Sequence, residues 1–181
     1  MLTEADYPFI EGQKGINPIL LQPTKDPITI FSASGKPLVF RMDERQVYLA
    51  EEDGRNFRLD AQVTAGTLAF DLKTKITISP GQVERHQDLF AARFVNFALR
   101  HFQSFGVLIN SVESVWKQDS VNYEDYTNAI TAGQDKVTAA KNTWSGRTLG
   151  KHGFTRILFG GIRINYEDGM QPEIIALFEK E

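Results

Sequence analysis

The chain contains no cysteine. Disulfide staples and thiolate chemistry are therefore excluded, and a metal would have to be held by histidines and carboxylates. Histidine is scarce too, with three in 181 residues. None forms an H-x-x-x-H or H-E-x-x-H pair, so no metal site is expected. No apolar run reaches the roughly 18 residues that a membrane-spanning helix needs. The opening segment, MLTEADYPFIEGQ, lacks the basic and apolar regions of a secretory signal. Neither sign of charge dominates: 20 basic residues face 23 acidic ones, for a net charge of −3. Bulk charge thus argues for neither a nucleic-acid nor a membrane partner. The sequence calls for no cofactor. A cytoplasmic location, or delivery as a module by another route, is the expectation.

What is present is a folded-protein composition, 41% hydrophobic and 24% charged, too apolar for disorder. Residues 1–26 lack periodicity and are punctuated by Pro8, Gly12, Gly15, Pro18 and Pro23, which predicts an extended arm. Residues 27–79 form a β-rich region. The runs ITIFS, PLVFR, QVYLA, NFRLD, LAFDL and KITIS alternate apolar with polar residues, the period of half-buried strands. Ser34-Gly35 and Asp53-Gly54 are placed to turn hairpins between them.

At Ser79 the period changes. Ser79 suits an N-cap and Pro80 a first helical position. Phe90, Phe94, Phe97, His101 and Phe102 then recur at spacings of three and four. They predict one amphipathic helix of roughly 25 residues, about 37 Å long, ending at Gly106. VLINSVESVW follows as a strand. Asn122 is read as the cap of a helix that Gly133 stops, and Asp135 as the cap of KVTAAKNT. TRILFGG, IRINYE and EIIALFEK read as three closing strands, with Asp168-Gly169 as a hairpin turn. The expected class is α+β: an N-terminal antiparallel β-meander or small barrel, a long amphipathic helix, short helices and a C-terminal antiparallel sheet. Residues 80–181 make up that α+β region, and the two regions are free to form one compact domain.

The stretch NTWSGRTLGKHGF, from Asn142 to Phe154, gathers three glycines, an exposed-looking serine, and basic side chains. It departs from a phosphate loop in both spacing and ending. Ser145 is not in a G-x-S-x-G elbow. The stretch reads instead as a short helix anchored by Trp144 and Leu149, with Gly150 or Gly153 supplying a left-handed terminus.

Charge is segregated around it. From Lys136 to Tyr166 there is no acidic residue, while Lys136, Lys141, Arg147, Lys151, Arg156 and Arg163 contribute +6, leaving −9 for the remainder. Such a surface fits an anionic ligand or an acidic protein partner, and less well a nucleic-acid backbone. Arg147, Lys151, His152, Arg156 and Arg163 are the expected anion-binding set. His86 and His101, on one predicted helix, would stand about 22 Å apart and could not share a metal. His152 would need a carboxylate from outside the basic window to act as a general base. Glu51, Glu52 and Asp53 read as a solvated hairpin tip. Glu84 and Asp88, four apart on the predicted helix, face water.

From Trp116 to Phe154 the chain resembles C-terminal modules of bacterial polymorphic-toxin and related surface proteins. The likeness rests on Trp116, Asn122, Tyr126, Gly133, Ala139-Ala140, Thr143-Trp144-Ser145-Gly146-Arg147 and Gly153-Phe154. These match a recurring pattern of Asn, an aromatic, Ala-Ala, Thr-aromatic-Ser/Thr-Gly-basic, and Gly-Phe. The resemblance implies a bacterial origin and a toxin-system or interaction role, and it carries no catalytic residues. Three functions are therefore in play. The first is a binding module with a basic anion-binding surface. The second is a toxin-type enzyme acting on nucleic acid or a nucleotide. The third is a structural subunit whose long, phenylalanine-rich helix or strand edges assemble into an oligomer.

Overall fold

Strict alternation shapes the first strands. β1 (Thr24–Phe31), β2 (Pro37–Met42), β3 (Gln46–Ala50) and β4 (Phe57–Thr64) pair antiparallel, each with the next. The computed structural model describes residues 24–31, 37–52, 57–79, 82–85, 89–118, 120–165 and 171–181. Of the expected arm only its last three residues are described, and they open β1. The turns expected at Ser34-Gly35, Asp53-Gly54 and Asp168-Gly169 lie outside the described residues, as do His86 and Asp88. Together the elements make an α+β protein of two compact units. The first takes the described residues of Met1–Gly66 and Phe70–Ile109. The second takes Thr67–Ala69 and Asn110–Glu181.

In the first unit, register carries the alternation from strand to strand. Phe40 stands opposite Leu49 and Met42 opposite Val47, while Leu49 and Val47 stand opposite Leu59 and Ala61. All are buried, because paired residues of an antiparallel ladder point to the same face. The turn at Ala65-Gly66 has positive φ at both residues, 49° and 78°, the geometry of a tight hairpin. β5 (Thr67–Ser79) then runs unbroken through LAFDL and KITIS, and β6 (Gln82–Arg85) pairs back on it.

The helix α1 spans Leu89–Ser104, 16 residues, so the predicted long helix is shortened at its start. Ser79 ends β5 and caps no helix, and Glu84 sits in β6 opposite Ile76. The physical reason is competition. A helix starting here would carry Gly81 in its first turn, where glycine costs about 1 kcal/mol, whereas residues 82–85 gain ladder bonds along β5. The far end is as expected. Gly106, at φ 72°, closes α1 with Gly106 N–H donating to Gln103 O and Val107 N–H to Phe102 O. Phe94, Phe97 and Phe102 are buried and α1 packs on β4. The Phe70 ring meets Phe94 edge-on at 6.4 Å. The helix thus lies in the same unit as β1 to β4.

His101 is the polar member of that face. Its Nε2 donates to the Asp43 carbonyl at 2.7 Å, in the turn between β2 and β3. The rings of Phe97, Phe102 and Phe105 lie 5.9, 5.4 and 5.0 Å from it. Burial pushes its pKa below the ordinary 6.5, against the smaller opposing effects of the Asp43 hydrogen bond and charge. Glu51 departs from the expected solvated tip: it is buried directly after β3, with Oε1 unbonded. Its backbone N–H donates to Phe57 O, which keeps it in line with β4 and off the turn.

The second unit is a three-stranded antiparallel sheet under three short helices. Its strand order is β7 (Ser111–Lys117), β9 (Gln171–Lys180), β8 (Phe154–Asn165). Thr67 Oγ1 lies 2.9 Å from Ser111 Oγ. The expected closing strands TRILFGG and IRINYE are one strand, because Gly160-Gly161 forms a bulge and makes no turn. Register shifts between Phe159 and Gly161, with Gly161 at φ 101°. Val112, Trp116, Phe178, Ala176, Ile174 and Ile157 share the buried face. Tyr126 of α2 (Val121–Thr131) bridges helix and sheet, 5.4 Å from Trp116 and 5.7 Å from Phe159. The cap of α2 is Ser120, whose side chain accepts from Tyr123 N–H; Asn122 lies within the helix. Gly133 ends α2 as expected.

Two outcomes follow for the first unit. Phe97→Ala should cost about 3–5 kcal/mol in chemical denaturation, and Phe105→Ala, at a half-exposed ring, within about 1 kcal/mol. Because folding lowers the His101 pKa, the unfolded chain binds the proton first. Stability should be full above about pH 6.5 and fall as pH drops toward the folded-state pKa, with a smaller fall in His101→Gln. Denaturation midpoints across pH 5 to 8 check this.

Candidate functional site

The site begins with two helices that share one residue. α3 (Lys136–Asn142) is capped by Asp135, whose Oδ1 accepts from Val137 and Thr138 N–H at 3.0 Å. Its Oδ2 accepts from the Thr138 hydroxyl at 2.6 Å. That hydroxyl bond, then the backbone ones, hold the Asp135 carboxyl below its ordinary value. α3 ends at Thr143, and α4 (Trp144–Gly150) begins on the same residue. The Thr143 hydroxyl donates to Ala140 O at 2.7 Å and accepts from Gly146 N–H at 3.0 Å.

The reversal brings α4 so close to α3 that Gly146 has no room for a side chain. A Cβ there would press on the Ala140 carbonyl and stand 2.6 Å from the Lys141 carbonyl oxygen. The exposed-looking serine is in fact buried, at 4% exposure. Its N–H donates to Asn122 Oδ1 at 2.8 Å, and its Oγ lies 3.1 Å from Ser114 Oγ, which accepts from Trp116 Nε1 at 2.8 Å. Asn122, Ala139, Ala140, Thr143, Ser145 and Gly146 are therefore framework residues. They are among the residues on which the sequence resemblance rests, and each has a bond or a buried position to account for it.

Where α3 and α4 lean on β8 they leave a cleft of about 360 Å³. Lys141, Arg147 and Lys151 contribute the charge, Gly146 and Gly150 part of the wall, and Phe154, Thr155 and Ile157 of β8 the remainder. Arg147 and Lys151, four apart, project from one helical face. Arg147 Nη1 donates to Asn142 O, which fixes the guanidinium near the cleft and leaves its other N–H groups open. Phe154 is buried, with Lys180 Nζ 5.0 Å above its ring. Gly153, at φ 86°, supplies the left-handed residue before β8.

Of the five expected anion-binding residues, the cleft thus gathers Arg147 and Lys151. His152 is half-buried. Its pKa is lowered by burial first and then by the charges of Lys151 and Lys180, so the ring is neutral near pH 7. No carboxylate bonds to it among the described residues. Arg156 turns to Glu179, at 3.4 Å on the strand beside it. Arg163 lies in β8 opposite Glu173, and its side chain is outside the description. Lys141 is the member that sequence reasoning missed. It belongs to the same acid-free window, but only the α3–α4 reversal folds it back beside Arg147. Among the described residues no group of three or more histidines and carboxylates could hold a metal, and no helix is long and apolar enough to cross a membrane.

The two helical glycines should respond oppositely. Gly146→Ala forces α4 off α3 and should cost more than about 3 kcal/mol, comparable to a large core defect. Gly150→Ala meets nothing within 4 Å and should stabilise by up to about 1 kcal/mol through helix propensity. Thermal or urea unfolding of the two variants separates them.

No family model and no curated protein matches this chain. Among solved structures it is similar to the aminoglycoside 6'-N-acetyltransferase from Enterococcus faecium, at 13% identity over 75% of this chain and 73% of that one. The TM-score is 0.36, too loose a likeness to carry an argument about either fold or activity.

Proposed function

We propose that the second unit is a binding module whose α3–α4–β8 cleft takes an anionic ligand, without turnover. The observation that carries this is convergence. Three cations of the acid-free window, Lys141, Arg147 and Lys151, line one concavity. Cations gathered on one concavity give it a positive potential that attracts an anion. At exposed cations such as these each pairing is worth up to about 1 kcal/mol. An enzyme built on His152 would need a carboxylate to orient its ring, and none bonds to it among the described residues. Assembly through the phenylalanines of α1 is weakened because Phe94, Phe97 and Phe102 are spent in the core; among the described side chains, the exposed phenylalanine nearby is Phe105, just past the helix end.

Tripolyphosphate, a compact polyanion, serves as the probe. At low salt it should bind and shift the backbone NMR signals of Gly146, Gly150 and Lys151, weakening as the screening length falls to about 10 Å at 0.1 M salt. Arg147→Glu and Lys151→Glu should each weaken it at least about tenfold, or 1.4 kcal/mol. Arg156→Glu, whose wild-type guanidinium is turned to Glu179, should weaken it far less. Equal losses from all three, or no binding at low salt, would overturn the assignment.

A further inference from the structure

The cleft is not shaped like a phosphate cradle. Such cradles present free backbone N–H groups. Here the N–H of Ser145 is bonded to Asn122, that of Gly146 to the Thr143 hydroxyl, and that of Arg147 to the Thr143 carbonyl. Nor does it offer a base-stacking platform. Phe154, the aromatic residue of its lining, is 1% exposed and shows no open face. What remains is three flexible or forked cations above an apolar floor, beside a strand.

That strand is β8, the last in the order β7-β9-β8, and among the described residues no strand pairs with its outer side. Thr155 and Ile157 belong both to β8 and to the cleft lining, so the sheet edge and the cations form one continuous surface. Farther along, Leu158, Ile162 and Ile164 are exposed, Ile162 at 73%. An unpaired edge with exposed apolar residues is a template for another strand. Its protection here is a bulge at Gly160-Gly161 and the cations of the adjoining cleft, Lys141, Arg147 and Lys151. A second copy of the same edge would bring those charges together. An acidic strand would be drawn in by them.

Building on the anion-binding assignment, we propose that the occupant is an extended acidic segment of a partner protein. It adds as a strand to β8 and sets its carboxylates on Lys141, Arg147 and Lys151. Its apolar residues cover Ile162 and Ile164, which share one face past the bulge. The bulge makes the pairing selective, because a guest strand must either stop near Phe159 or follow the bend.

The test uses the whole chain and a short synthetic peptide, with glutamates in one half and alternating valine and threonine in the other. A second peptide of equal charge has proline in place of each valine, which removes ladder donors. The first peptide should bind and slow hydrogen exchange of β8 amides at least tenfold. The proline peptide should bind at least tenfold more weakly, and Lys151→Glu should weaken the first peptide similarly. Equal binding of the two peptides, binding without protection of β8, or tighter binding of an oligothymidine would each overturn strand addition. Tripolyphosphate binding without peptide binding would also overturn it while leaving the anion site standing. Failure of both probes would remove the two together.

Discussion

The hydroxyl of Thr143 holds two helix ends at once, donating to the last turn of α3 and accepting from the first turn of α4. Everything distinctive about the second unit depends on that double cap. It fixes the angle at which the chain reverses, and Gly146 lets the reversal close to backbone contact. With α4 set, Ser145 can meet Asn122 and Ser114, and the helix pair is bolted to β7. The same reversal carries Lys141 to the side of Arg147 and Lys151. A charged cleft is thus a consequence of a capping geometry, and cations scattered through the sequence become neighbours only because the turn is tight.

The polar framework and the charged surface are separate sets of residues. Ser114, Trp116, Asn122, Thr143 and Ser145 satisfy one another or the backbone, and Thr143 and Ser145 are buried with their donors and acceptors paired. Lys141, Arg147 and Lys151 stay at the solvent boundary, where their charge remains usable. His152 sits between the two sets, partly desolvated and close to Lys151 and Lys180, and so contributes no charge near neutral pH. The stretch that looks most like chemistry in the sequence is therefore largely scaffold, and it carries its own Arg147 and Lys151 to the cleft beside Lys141.

Legibility followed the range of the interaction. The apolar alternation of PLVFR and QVYLA marks strands because each residue's own neighbours reveal the period, and both runs are β-strands. Gly106, Gly133 and Asp135 were readable for a similar reason, since a helix end is set by one residue and the turn beside it. Misreadings came where two local signals competed. Ser79-Pro80 is a good helix start, but β5 offered residues 82–85 an edge to pair with. Asn122 is a good cap, but Ser120 reached Tyr123 first, which freed Asn122 for Ser145. Gly160-Gly161 resembles a turn, yet β9 continues beside it and the extra residue is absorbed as a bulge.

The sequence by itself determined the α+β class, most of the strand periods, the helix stops and the presence of an acid-free basic window, because composition and short-range periodicity carry those properties. It also ruled out thiol chemistry outright. Only the tertiary structure decided which cations converge. Lys141 and Arg147 are joined by a backbone reversal, Arg156 is taken by Glu179 across a strand pair, and His152 is neutralised by burial and its neighbours' charge. Charge along a chain is a local property, whereas the potential at a site is a sum over everything that folding brings near it.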